Sequence, residues 1–172
     1  MSARFLRDEK GSPTAEFALI LPALIMLMFG GFEAGNFVWT QHKLVKAVRE
    51  GARFAARLPV TDYCDGATAQ FDPDAEADIK AVTLTGALPG ASTNPAVPGM
   101  TLSNITVSPA CAAYAVSETG SGTGIYSDLG NGGPVVTVSV AGVGYPSLFA
   151  QLAGLDGSIN LAAKASAPVI GL

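Results

Sequence analysis

Apolar and polar positions divide the chain into three textures. From Phe17 to Phe32 the sequence FALILPALIMLMFGGF carries no charge over 16 residues. Ala34–Trp39 prolongs this run to 23 residues, with Glu33 as the one carboxylate inside it. As helix, such a run rises about 35 Å, enough to cross a hydrocarbon core of about 30 Å. It is apolar on every face, which fits lipid; the competing reading is a buried helix of a soluble protein. From Gln41 to Leu58 (QHKLVKAVREGARFAARL) the pattern turns amphipathic. Leu44, Val48, Ala52, Ala55 and Leu58 share one helical face, Lys46, Arg49, Arg53 and Arg57 share another, and Pro59 ends the pattern. A helix from about Thr14 to Leu58 is roughly 65 Å long, too long for a small globular core. Its first half belongs in lipid and its second half packs on a domain.

Beyond Pro59 the texture changes again. Asp72 as cap, Pro73 in the first turn and acids at the positive end predict a helix to about Leu84–Thr85, with Ile79 and Val82 inward. Gly86–Gly99 reads as a loop. TLSNITVS (Thr101–Ser108), VVTVSVAGV (Val135–Val143) and INLAAKASA (Ile159–Ala167) read as strands. Ser117–Gly133 holds six glycines and reads as a flexible connection, and Tyr145–Leu155 as a short helix. The expected fold is α+β: a long N-terminal helix packed on a small antiparallel sheet of three or four strands.

Within the apolar run, several residues invite a role. Glu16 stands at its entry, where a bare carboxylate is costly unless paired; it is either a functional intramembrane group or a solvated interfacial one. Glu33 lies about 24 Å further on, where it could reach water at the far interface. Pro22 removes a backbone donor and predicts a kink or local unwinding near Ala18–Pro22. Gly31-x-x-x-Gly35 is either a face for close helix approach or a chance spacing. His42 reads as an interfacial polar residue, and the basic stripe as a solvated or headgroup-facing side. A basic start (Arg4, Arg7, Lys10) ahead of the run fits a secretory signal, but the cleavage rule fails. Ala34, Gly31 and Gly35 would each be paired with a large or charged residue (Phe32, Phe29, Glu33) two positions earlier, so the segment should stay attached.

Composition narrows the function. With 14% charged and 49% hydrophobic residues the chain is not disordered, and a net charge of −4 argues against a nucleic-acid partner. One His and two Cys leave little for a zinc site. Residues 1–57 carry a net charge of +3 and residues 58–172 one of −7, a split that suggests two surroundings. Lys and Arg number three before the apolar run and five just after it, which by the positive-inside rule alone would leave the C-terminal part in the cytoplasm.

The segment Gly11-Ser12-Pro13-Thr14-Ala15-Glu16-Phe17, followed at once by the apolar run, resembles the cleavage site of type IV prepilin-like proteins. The wider pattern resembles the TadE-like family, minor pilin-like components of tight-adherence (Flp-type) pilus machines. The residues that carry the likeness are EFALILP (Glu16–Pro22), GFEAG (Gly31–Gly35) and AVREGARFAA (Ala47–Ala56), so it covers about residues 11–57. VVTVSV and INLAAKASAP are similar to strands of the family more weakly.

The resemblance implies a mechanism. A membrane-embedded prepilin peptidase would cut between Gly11 and Ser12 on the cytoplasmic side, where a residue without a side chain admits close backbone approach. Residues 1–11 would be a leader, 12–58 the long helix and 59–172 an exported domain. Glu16 would pair with the new N-terminal amine of a neighbouring subunit, and Phe17 would pack beside it. Pro22 would allow local unwinding on extraction from the bilayer. Pro13, two residues past the cut, departs from the pattern and bears on the fit to the peptidase. The implied partners are the membrane, the peptidase, other pilin-like subunits and the pilus assembly platform. The implied location is the bacterial inner membrane, single-pass, with the C-terminal domain outside the cytoplasm. For an exported domain, Cys64 and Cys111 would form one disulfide; the alternative is two buried thiols.

Catalysis finds no support in the residues. His42 is the one histidine and sits at the membrane boundary, so the exported domain cannot assemble a Ser–His–Asp triad. The acidic cluster Asp72, Asp74, Glu76 and Asp78 lacks the spacing of a calcium loop, and Gly120-x-Gly122-x-Gly124 is not followed by a clear helix, as a phosphate cradle requires. The expected function is that of a non-enzymatic pilin-like subunit, without cofactor or metal. A permanently anchored envelope scaffold is the alternative, and an envelope hydrolase or metal-binding domain the third reading.

Overall fold

The computed structural model describes residues 13–65, 68–69, 71–111, 134–149 and 159–171. Helix α1 runs from Pro13 to Ala55. It passes through Pro22 as continuous helix; of the kink or local unwinding expected near Ala18–Pro22, the unwinding is not present. Proline deletes one backbone hydrogen bond, and the flanking turns carry the helix across the gap. The helix stops three residues short of Leu58. Residues 56–58 form a turn, with Ala56, Arg57 and Leu58 donating their amides to Ala52, Phe54 and Ala55 oxygens.

The chain then enters a short 3-10 turn, Val60–Asp62. A two-residue hairpin follows, β1 (Cys64–Asp65) with β2 (Thr68–Ala69), which the sequence pattern is too short to announce. Helix α2 (Pro73–Thr85) is capped as the sequence predicts. The Asp72 carboxylate accepts from the Asp74 amide at 2.8 Å, and Gly86 closes the C-terminus in the left-handed region at φ 69°. Ala75, Ile79, Val82 and Thr83 are its buried face.

Three strands form the main sheet in the order β3 (Ile105–Ala110), β4 (Val135–Gly144), β5 (Asn160–Pro168), all antiparallel. β3 starts four residues later than its alternation suggests. Leu102–Asn104 is a 3-10 turn, closed by Thr101 and Asn104: the Asn104 side-chain oxygen accepts from the Thr101 amide at 2.9 Å. This local side-chain bond competes with strand pairing and wins. In β4 the register slips between Val140 and Val143, with Gly142 at φ 72°, a conformation that favours glycine. Tyr145–Phe149 is irregular rather than helical. Residues 150–155, where the rest of that expected helix falls, and the glycine-rich stretch 112–133 lie outside the described residues.

One face of the sheet meets α1. Val136, Val138, Val140 and Leu161 pack with Leu44, Val48, Ala52 and Ala55, and Ala163, Ala165 and Ala167 of β5 flank them. Small side chains on β5 let the helix lie close. The opposite face is polar, with Thr137 and Ser166 hydroxyls 2.9 Å apart across strands. α2 packs on a third side, and its approach to α1 depends on Gly51: a Cβ there would collide with Thr83 Oγ1. The end of the last strand returns to the end of α1. Ile170 donates its amide to Ala56 O at 2.8 Å, Val60 donates to Gly171 O at 3.1 Å, and a Cβ at Gly171 would meet the Arg57 and Leu58 carbonyls. Tyr63, fully buried, donates its hydroxyl to Ala55 O at 2.7 Å. Cys64 and Cys111 form a disulfide with a Cα–Cα distance of 5.7 Å, tying the hairpin after α1 to the end of β3.

Candidate functional site

The functional candidates lie along α1, which has two different halves. From Thr40 onward its buried residues are Thr40, Leu44, Ala47, Val48, Gly51, Ala52 and Ala55, the face expected from the amphipathic spacing. Upstream, Phe17, Leu19, Ile20, Leu24, Met26, Leu27, Met28 and Phe32 are all exposed. An 18-residue window of this half reaches a mean hydropathy of 2.0 with none of it buried. A helix at the core of a soluble domain would be covered. This one is uncovered, apolar and long enough to cross a membrane.

Glu16 lies in the first turn of the described helix and is exposed. Among the described residues no cation pairs with it. Phe17 next to it is 58% exposed. Gly31 and Gly35, four apart and so on one helical face, have nothing within 4 Å of where a Cβ would stand. The small-residue face is therefore open to another helix. Gly11 and Ser12, the expected cleavage position, and the rest of the leader lie outside the described residues.

Glu33 has partners that its place at the far end of the apolar run did not suggest. Together with Asn36 it holds the segment that follows β4. Leu148 donates its amide to Glu33 Oε2 at 3.1 Å, and the Tyr145 hydroxyl donates to Glu33 O at 3.1 Å. Asn36 uses its amide nitrogen twice, donating to Tyr145 Oη at 2.9 Å and to Pro146 O at 3.1 Å. Phe37 stacks edge-on against Tyr145 at 5.3 Å, and Phe29 lies 4.8 Å from Phe149. The sequence carried one signal of this clasp: Glu33 and Asn36 are polar residues inside an otherwise apolar run. Their partner, more than a hundred residues away, could not be read.

The remaining candidates are placed as follows. His42 is exposed, directly before Lys43, whose Nζ stands 5.3 Å from the centre of the Trp39 ring. Lys46, Arg49, Arg53 and Arg57 are exposed, and Arg53 approaches Glu50 at 3.6 Å. A shallow groove of about 390 Å³ runs between this side and α2, lined by Lys43, Lys46, Glu50 and Gly86 among others. Of the acidic cluster, Asp72 caps α2 and Glu76 pairs with Lys80 at 2.6 Å. Burial, reinforced by the negative charge of Asp62, holds the pKa of Tyr63 far above the ordinary tyrosine value.

Residues 11–53 match the family model described as TadE-like protein, over about a quarter of the chain. The match spans the exposed half of α1 and most of its packed half. No curated protein and no solved structure matches the chain. The N-terminal segment is thus similar to TadE-like proteins, and its exposed half is long and apolar enough to cross a membrane.

Proposed function

We propose that the chain is a non-enzymatic minor pilin-like subunit of a tight-adherence pilus assembly. A prepilin peptidase cuts it between Gly11 and Ser12, and it is stored in the inner membrane by the exposed half of α1, with its head outside the cytoplasm. The observation that carries this reading is the contrast within one helix. Leu44 to Ala55 is committed to the head, while Glu16, Phe17, Gly31 and Gly35 stand uncovered on the other half. A carboxylate so placed in lipid attracts a cation far more strongly than it would in water. The amine freed at Ser12 of a neighbouring copy is such a cation, and the open Gly31–Gly35 face admits a second helix closely. The disulfide in the head is consistent with an oxidising compartment.

The test is the N-terminus of the protein recovered from cells with an active peptidase. Intact mass and N-terminal sequencing should find a chain starting at Ser12. Retention of Met1 would overturn the cleavage and leave a permanently anchored envelope scaffold. Glu16→Ala should be cleaved yet absent from sheared pili; its normal incorporation would remove the docking role.

A further inference from the structure

We infer that the segment Tyr145–Phe149 is a second membrane contact, seated in the outer leaflet beside α1. The occupant of its apolar surface is lipid.

Its position is fixed by the helix. Phe149 rests on Phe29, which is 12 residues beyond Phe17 and therefore about 18 Å along the span. Against a hydrocarbon core of about 30 Å, that places the Phe29–Phe149 contact in the outer half of the bilayer. Leu148 of the same segment is 57% exposed, and its amide is held by Glu33, the residue next to exposed Phe32 on the helix.

The hydrogen bonding of the segment fits lipid. An irregular segment survives in a bilayer when its backbone polar groups are satisfied within the protein. Here the Tyr145 amide donates to Ile159 O, the Ser147 amide to Tyr145 O and the Leu148 amide to Glu33 Oε2. Pro146 has no amide hydrogen, and its carbonyl accepts from Asn36. The Tyr145 hydroxyl is itself donor to Glu33 O and acceptor from Asn36. Each amide from Tyr145 to Leu148 is thus held within the protein, while Leu148 presents an exposed apolar side chain. The same contacts engage one carboxylate oxygen of Glu33 and the amide nitrogen of Asn36 near the end of an apolar span.

The inference rests on the membrane reading of α1, and the test separates the two. The single tryptophan, Trp39, is changed to phenylalanine, and tryptophan is introduced one site at a time at Leu148, Leu24 and Leu88. Leu148 and Leu88 are largely exposed, so neither substitution disturbs packing. The full-length protein is reconstituted in phosphatidylcholine–phosphatidylglycerol vesicles, with lipids brominated either near the headgroup or near the chain end. Leu148→Trp should emit blue-shifted light and lose most of its emission to bromines near the headgroup, whereas Leu88→Trp should emit as in water and lose none. Leu24→Trp should be quenched by the deep bromines. If Leu24→Trp is quenched and Leu148→Trp emits like Leu88→Trp, the second contact is overturned and the anchor stands. If neither is quenched, the anchor itself falls. Blue-shifted emission at Leu148 without quenching by either lipid would mean that protein, such as the helix of a second copy, covers the segment, and would equally overturn a lipid occupant.

Discussion

Thr83 Oγ1 occupies the space that a Cβ on Gly51 would take. The Thr83 hydroxyl is held there by donating to Ile79 O at 2.7 Å, and both residues are buried. Gly51→Ala should therefore destabilise the head by about 1–3 kcal/mol through overpacking. Urea unfolding of the detergent-solubilised protein measures it. Adding Thr83→Ala should restore part of the loss, whereas two independent effects would simply add.

The clasp at the other end of the packed helix depends on one carboxylate. Glu33→Ala removes the acceptor of the Leu148 amide, and Tyr145→Phe removes a hydroxyl that both donates and accepts. Each should cost about 1 kcal/mol per bond lost. Hydrogen exchange should accelerate at the Leu148 amide in Glu33→Ala, with little change in β3. Unchanged protection at Leu148 would show that the segment is held by the Phe29–Phe149 and Phe37–Tyr145 ring contacts alone.

Reduction of the disulfide should be costly. It closes a separation of 47 residues between the start of the head and the end of β3. Loop-closure entropy puts its contribution at about 4 kcal/mol. Thermal unfolding with and without reductant should show the drop, and Cys64→Ser with Cys111→Ser should reproduce it.

Alkaline pH should unfold the head through Tyr63. Its pKa in the folded state is raised, first by burial and then by Asp62, above the value of about 10 that an unfolded tyrosine has. A raised pKa means that the stabilisation is complete below pH of about 10 and is lost as pH climbs toward the folded value, at about 1.4 kcal/mol per pH unit. Tyr63→Phe should be less stable near neutrality, since it loses the bond to Ala55 O, and should show a flatter alkaline limb. Phenolate absorbance should find Tyr63 silent until the protein unfolds.

Much of the architecture was legible because it is local. The two textures of α1, the Asp72 cap, the Gly86 stop and the three strands each depend on residues within one or two turns of each other. The EFALILP and AVREGARFAA segments pointed to the family that the match over residues 11–53 bears out. What escaped depends on contacts distant in sequence or on local bonds that outvote a pattern. TLSNITVS alternates like one strand, but Asn104 folds back on Thr101 and delays pairing to Ile105. Pro22 predicts a kink or local unwinding, yet a single missing donor leaves the helix of 43 residues continuous. The partnership of Glu33 and Asn36 with Tyr145–Leu148 spans 109–115 positions, and no periodicity records it.

The return of the last strand to the end of α1 has a mechanical consequence. The head grips the helix at two places, the Glu33–Tyr145 clasp and the Ala56–Ile170 and Val60–Gly171 bonds, with the valine face between them. Traction along the helix axis cannot peel these contacts off one after another. It loads them together, in shear, over a length of roughly 35 Å. Pulled from its N-terminal end, α1 transmits load to both ends of this grip at once.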